Sequence, residues 1–233
     1  MGFYRGPNIV TDGLALAVDA GSERSYPGSG TTVDSLIGSH VGTLTNGVGF
    51  SSSNGGVFDF DGADDYISIP NSTALENASN LTLEAWVNTD SNTNNYLGII
   101  GKGASDANEA YCIVISPGNG VIYMDVGQGG GPYVAPSYTF ATNTWYHIVG
   151  THERTGGLST LKVYVNGVLQ PATVIGPFNT PNTNTAAVTI GSRWASGGVP
   201  WAGEISLARI YTQTLSSAEV LQNYNAQKSR FGL

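Results

Sequence analysis

Four carboxylates crowd one short stretch of this chain: Asp59, Asp61, Asp64 and Asp65, in the run Phe58-Asp59-Phe60-Asp61-Gly62-Ala63-Asp64-Asp65. Three kinds of chemistry fit such a cluster. Outward residues of an edge strand followed by a turn need no ligand at all. Hard carboxylate oxygens suit Ca²⁺, and Asp19 and Glu204 are further oxygen donors for such an ion. Paired carboxylates about 5–5.5 Å apart would serve glycoside hydrolysis. Acids at alternate positions of one strand would set such a pair on one face. Gly62 interrupts the run at an Asp-Gly turn, and no acid follows at the required step.

The histidines, the cysteine and the glycine run are less promising. His147 and His152 are five apart on one expected strand, so they point to opposite faces and cannot share a metal. Cys112 lies inside an apolar run and reads as a small buried hydrophobe. Residues 127–131 lack the Lys-Ser/Thr of a phosphate loop. Aromatics beside polar loops are the better candidates. Tyr96 follows an Asn-rich loop, Tyr133 and Tyr138 flank a Pro-containing turn, and Trp194 and Trp201 bracket a Gly-rich loop. Such rings offer a sugar apolar C–H contact while neighbouring polar groups bind its hydroxyls. Packing on the edge of the body and contact with another protein are the competing roles. Trp86 and Trp145 sit within strands and are expected in the core.

The elements that must position these residues are β-strands. Leu161, Val163 and Val165 alternate with Lys162, Tyr164 and Asn166, the period of a half-buried strand. Asn166-Gly167 then signals a tight hairpin, because both residues tolerate positive φ. Leu81, Leu83, Ala85 and Val87 form a second alternating set expected to face the core. Further strands are expected at 14–18, 57–60, 66–69, 96–100, 110–115, 121–126, 133–140, 145–149, 187–191 and 205–211, with 33–50 irregular. One helix is expected near the C-terminus. Ser216 and Glu219 fit a capping box, Leu215 and Val220 a hydrophobic staple, and Val220, Leu221 and Tyr224 an apolar stripe.

Composition agrees with short strands joined by tight turns: 233 residues, 32 of them Gly, and only 11% charged. The net charge of −8, without a basic cluster, argues against nucleic-acid binding. The N-terminus shows no apolar signal segment, and no stretch is long and apolar enough to span a membrane. Sequons at Asn71, Asn77 and Asn80 are then expected to be chance. The expected organisation is a single domain: an N-terminal arm at 1–12, a body at 13–215, and a helix and tail at 216–233.

Four segments in order carry a resemblance: 60–70 (FDGADDYISIP), 81–87 (LTLEAWV), 145–169 (WYHIV…LKVYVNGVL) and 203–220 (GEISLARIYTQTLSSAEV). Together they resemble the concanavalin A-like lectin and laminin G-like domains. The resemblance implies an all-β, two-sheet antiparallel jelly-roll sandwich with one short C-terminal helix. Relatives often bind calcium at the rim, and their last long strand often reads Ile-Asp-Glu-Val-Arg-Ile-Tyr. Here Ser206 and Leu207 replace both acids, which weakens any metal site built on them. Glycosidases of this fold carry Glu-x-Asp-x-Glu on one strand, which is missing here.

The two ends, 11–32 and 223–233, resemble concanavalin A-like structural proteins of tailed phages, although Val33 stands where those usually have Trp. The resemblance implies a non-enzymatic virion protein, a capsid decoration or a tail or fibre adhesin. Its implied partners are other capsid or tail proteins, copies of itself, and host or environmental glycans. It would be assembled in the host cytoplasm, with no required cofactor. A stand-alone carbohydrate-binding module is the alternative, and a glycoside hydrolase the second alternative. Recognition is expected in the rim loops around Tyr96, 127–138 and 194–201.

Overall fold

The computed structural model describes residues 8–76, 79–127, 133–155, 158–172, 174–175 and 183–233. The arm residues Phe3, Tyr4 and Arg5 and the glycine run at 128–131 lie outside them.

In chain order the strands are β1 (Leu14–Asp19), β2 (Thr32–Asp34), β3 (Val41–Thr45), β4 (Gly49–Ser51), β5 (Val57–Asp61), β6 (Tyr66–Ile69), β7 (Asn80–Thr89), β8 (Leu97–Gly103) and β9 (Glu109–Ser116). They continue with β10 (Val121–Val126), β11 (Tyr133–Val134), β12 (Trp145–Thr155), β13 (Leu158–Val165), β14 (Val168–Leu169), β15 (Val174–Ile175), β16 (Val188–Ile190) and β17 (Ala202–Tyr211). A one-turn helix α1 (Thr73–Glu76) joins β6 to β7, and α2 (Ser217–Gln227) follows β17. One sheet runs β14-β13-β12-β7-β17-β5-β4, with β1 also paired to β17; the other runs β15-β11-β10-β9-β8-β16-β6-β3-β2. Every strand pair is antiparallel. The architecture is the expected two-sheet sandwich.

Alternation decides which side chains enter the core between the sheets. Leu81, Leu83, Ala85 and Val87 of β7 do so, as do Leu161, Val163 and Val165 of β13 and Ile113 and Ile115 of β9. Asn166 and Gly167 adopt φ of 51° and 77° and turn β13 into β14.

Three expectations change. Residues 33–50 are not irregular: they supply short strands β2, β3 and β4, and Val33 is fully buried. Short strands alternating over only three to five residues leave too little periodicity to read. The strand expected at 133–140 is two residues long. Leu221 does not join the apolar stripe of α2; it is exposed, and the buried face uses Val220 and Asn223.

Helix α2 is capped by Ser216 and Glu219 as expected. It covers the outer face of the first sheet. There Trp86 stacks on Phe231 at 4.1 Å and on Tyr224 at 5.8 Å, with Trp145 packed beside Phe231. Trp86 and Trp145 are therefore buried as expected, but under the C-terminal segment rather than between the sheets. Strand β7 is consequently buried on both faces.

Ser206, at one of the two positions that lost an acid, sits in a bulge of β17 and donates to the Gly56 carbonyl at 2.7 Å. An ionised Asp could not make that bond, since it has no proton to give.

Candidate functional site

The outer face of the second sheet carries the site. Alternation along β10 sends Ile122, Met124 and Val126 into the core and leaves Tyr123 and Asp125 facing outward. Tyr133 of β11 is the cross-strand partner of Asp125, and Cys112 of β9 is its partner on the other side. Tyr123 lies opposite Val114 in the same way. Residues directly opposite stand about 4.5–5.5 Å apart, so Asp125 is flanked by two tyrosines over a floor of Cys112 and Val114. Tyr96, just before β8, meets Tyr123 edge-on, with ring centres 5.1 Å apart, and Tyr123 lies 5.9 Å from Tyr133. Arg193 completes a cleft of about 240 Å³.

Two glycines make room for the loop that brings Arg193. Gly98 and Gly101 lie in β8, and a Cβ on either would run into the backbone of Arg193. Bare backbone at these positions lets the 192–199 segment lie flat on the sheet. There Arg193 grips Glu109 with two hydrogen bonds, Nε to Oε2 at 2.8 Å and Nη2 to Oε1 at 3.1 Å. Its Nη2 also pairs with Asp106 at 2.9 Å and lies 3.9 Å from Asp125 Oδ2. The indole of Trp194 donates to Glu109 Oε2 at 3.2 Å, and its ring lies 5.1 Å from the Arg193 guanidinium.

Asp125 is the unusual group. Its side chain is only 14% exposed, and Oδ1 is buried without a hydrogen-bond partner. Burial pushes its carboxyl up to about 7, and the negative charge of Glu109 adds to that against the opposing pull of Arg193. The hydrogen bond with Tyr96, together with burial, pushes the Tyr123 phenol up to about 12, so it remains a neutral donor. Burial, reinforced by Glu109, raises the Cys112 thiol well above its ordinary value, which fits an inert thiol.

The raised Asp125 value has a sign. A carboxyl that binds its proton more tightly when folded destabilises the fold once it must ionise, so this cost sets in as pH rises from about 4 through 7. Asp125→Asn is accordingly expected to raise stability above pH 7, by about 1–3 kcal/mol, with little effect near pH 4. Urea denaturation at the two pH values checks this; an equal gain at both would contradict it.

The five aromatic candidates separate. Tyr96 and Tyr133 come together through Tyr123, with Trp194 behind Arg193. Tyr138 packs instead against Phe140 and Tyr146, at 5.0 and 5.7 Å. Trp201 is a correction: it is fully buried in the main core and presents no face to a ligand. A Gly-rich loop beside a tryptophan had suggested exposure, but β17 begins at Ala202 and carries its neighbour inward. Tyr123, Asp125, Glu109 and Arg193 were missed. The alternation of Tyr123 and Asp125 with apolar residues was their only local signal; Arg193 had none.

The acidic candidates also divide. Oxygens of Asp61, Asp64 and Asp65 lie within 4.8 Å of one another. Asp61 Oδ1 accepts from the Ala63 amide and Asp65 Oδ2 from the Asp61 amide, so the turn itself employs two of the three. Asp59 and Glu204 are cross-strand partners elsewhere, in a shallow recess with Asn88 and Asp90. Asp19 is held by Arg230 at 2.7 Å. The six acids do not assemble into one calcium site, which would need six to eight oxygens. His147 and His152 do face opposite sides: His147 lies beside Trp86, and His152 bonds Ser159 at 2.9 Å.

This sandwich, with an aromatic cleft on a sheet face, is of the concanavalin A-like jelly-roll class. Residues 61–221 match the family described as the concanavalin A-like lectin/glucanases superfamily, and the chain belongs to that family. No curated protein sequence matches the chain. Among solved structures it is similar to the botulinum neurotoxin type G receptor binding domain, at 16% identity and a TM-score of 0.66, covering 93% of this chain and 52% of that one. It is also similar to Trypanosoma rangeli sialidase in complex with sialic acid, at 16% identity and a TM-score of 0.68, covering 95% and 34%. The chain spans about half or less of each neighbour's length, and the likeness is one of fold.

Proposed function

We propose that this protein is a non-enzymatic, glycan-binding structural protein of a phage particle. The observation that carries the glycan reading is the cleft in which Tyr96, Tyr123 and Tyr133 surround a partly buried, unsatisfied Asp125. Tyrosine faces suit the apolar side of a sugar ring, and a carboxylate beside them suits its hydroxyl donors. The volume is below the roughly 300–1,000 Å³ of drug-sized pockets and fits one small group rather than a long ligand. Membership of a lectin/glucanase superfamily supports the same reading.

The non-enzymatic part rests on Glu109. A glycosidase needs a second carboxylate ready to act as nucleophile or base. Both Glu109 oxygens are engaged by Arg193, and one also by Trp194. Binding requires no cofactor; calcium, as a proposal, belongs to the Asp61, Asp64 and Asp65 turn.

The phage reading rests on the chain ends. The two segments that resemble phage structural proteins pack on each other, with Arg230 pairing with Asp19 at 2.7 Å. Partners would be other capsid or tail proteins and copies of this chain. Mass spectrometry of purified particles tests this directly; absence from the virion would overturn it.

Glycan-array screening followed by calorimetry tests the site. Tyr123→Ala is expected to weaken binding at least about tenfold, the equivalent of 1.4 kcal/mol, while Tyr138→Ala leaves affinity unchanged. Equal losses in the two variants, or none, would remove the cleft as the binding site.

A further inference from the structure

We propose that the Tyr96–Tyr123–Tyr133 cleft selects ligands bearing a positively charged amine, with Asp125 as the counter-charge, and turns away carboxylated ones. This deepens the glycan reading and rests on it for the sugar part of the ligand.

The charge of the site points in this direction. Among the described lining residues Arg193 is the one cation, and it faces three carboxylates, Glu109, Asp106 and Asp125. Glu109 and Asp106 already compensate it, so a ligand carboxylate entering beside Asp125 would meet net negative charge. Tyrosine rings carry negative π-faces that attract an ammonium group within about 6 Å of their centres, more strongly when it is partly desolvated. Here three such rings surround one carboxylate. Tyr123 is two residues before Asp125 on the same strand face, Tyr133 is its cross-strand partner, and Tyr96 closes over Tyr123. Asp125 Oδ1 is buried and has no partner. A protonated amine in the cleft would give the Asp125 carboxylate a close positive charge, since the Arg193 guanidinium stands 3.9 Å away and is held by Glu109 and Asp106; a neutral hydroxyl would not.

The ammonium could be borne by an amino sugar or by a methylated headgroup of the choline type, and one experiment separates them. The full chain is titrated calorimetrically at about pH 7.5, above the value of about 7 to which the Asp125 carboxyl is raised and below the roughly 7.7–8.0 of an ordinary α-amino group. The ligands are a glucosamine oligosaccharide, its N-acetylated counterpart, sialyllactose and choline. The glucosamine oligosaccharide should bind at least tenfold tighter than the acetylated one, and sialyllactose should not bind. Asp125→Asn should abolish that preference, so that the two sugars bind equally, while Tyr138→Ala should keep it; the Asn variant is expected to fold at least as well as the parent. Competition by choline against the amino sugar would assign recognition to the ammonium group itself, and its absence would assign it to the amine on a sugar frame.

Equal or tighter binding of the acetylated sugar overturns the inference and leaves the glycan reading standing, as does a preference that survives Asp125→Asn. Binding of choline with no sugar bound overturns the glycan reading and keeps the ammonium site. If none of the four ligands binds, both fall.

Discussion

Glu84→Gln is expected to cost about 3–5 kcal/mol of folding stability, the usual consequence of breaking a buried ionic network by removing one partner. Glu84 is fully buried in β7, between the sheet and helix α2. Its Oε1 accepts from Arg209 Nη1 at 2.8 Å and from His147 Nε2 at 3.0 Å, and its Oε2 accepts from Asn223 Nδ2 at 2.7 Å. The amide of Gln would turn an acceptor into a donor against one of these three donors and leave Arg209 buried without its charge partner. Burial by itself would raise the Glu84 carboxyl; Arg209, His147 and Asn223 outweigh it and hold the group down at about 2.

Folding therefore lowers this pKa from 4.5 to about 2. The stabilisation is complete above pH 4.5 and is lost as pH falls from there through about 2. At 1.36 kcal/mol per unit this amounts to about 3 kcal/mol. Urea denaturation at pH 7 should show the loss in Glu84→Gln, and in that variant the fall in stability below pH 4.5 should flatten. A loss under about 1 kcal/mol would mean the network is dispensable. Replacing the pair together, Glu84→Leu with Arg209→Met, should recover much of the loss, because a buried ion pair is often no better than apolar residues of similar volume.

Trp201→Ala is expected to be about as damaging, roughly 3–5 kcal/mol, for a different reason. The side chain fills the main core and makes no surface, so its removal leaves a cavity. For a domain of this size each kcal/mol moves the melting temperature by about 2–4 °C, giving a shift of roughly 6–20 °C in a thermal melt. Trp201→Phe should cost much less, since it keeps most of the volume and removes an indole N–H that is buried without an acceptor. Trp194→Ala gives the contrast. It loses a hydrogen bond to Glu109 and the contact with Arg193 at a partly exposed position, so its melting temperature should move by only a few degrees. Comparable shifts for the two tryptophans would contradict their placement.

The pair of tryptophans shows where reading along the chain runs out. Both flank the same Gly-rich loop, and neither residue type nor spacing distinguishes them. Asn223 is a similar case. A polar residue on the inner face of an amphipathic helix looks like a fault in the stripe, and Leu221 looks like part of it. The structure reverses the two because Glu84, buried beneath the helix, needs an amide donor, and Leu221 lies on the other side of the turn.

Local rules by themselves determined the strands, one hairpin and the helix start, while the two-sheet sandwich was implied by the family resemblance. Alternation at 81–87 and 161–165 chose the core faces, Asn166-Gly167 chose a hairpin, and Ser216 with Glu219 chose the start of α2, because each depends on neighbours within a few residues. The candidate site depends on neighbours far apart in sequence. Tyr96, Tyr123, Tyr133 and Arg193 meet only after β8 to β11 pair and the 192–199 loop settles on Gly98 and Gly101. Strand register decides which outward side chains stand opposite one another, and close backbone approach decides which loop covers them. Those two long-range facts turn scattered tyrosines, an ordinary aspartate and a loop arginine into a charged aromatic cleft.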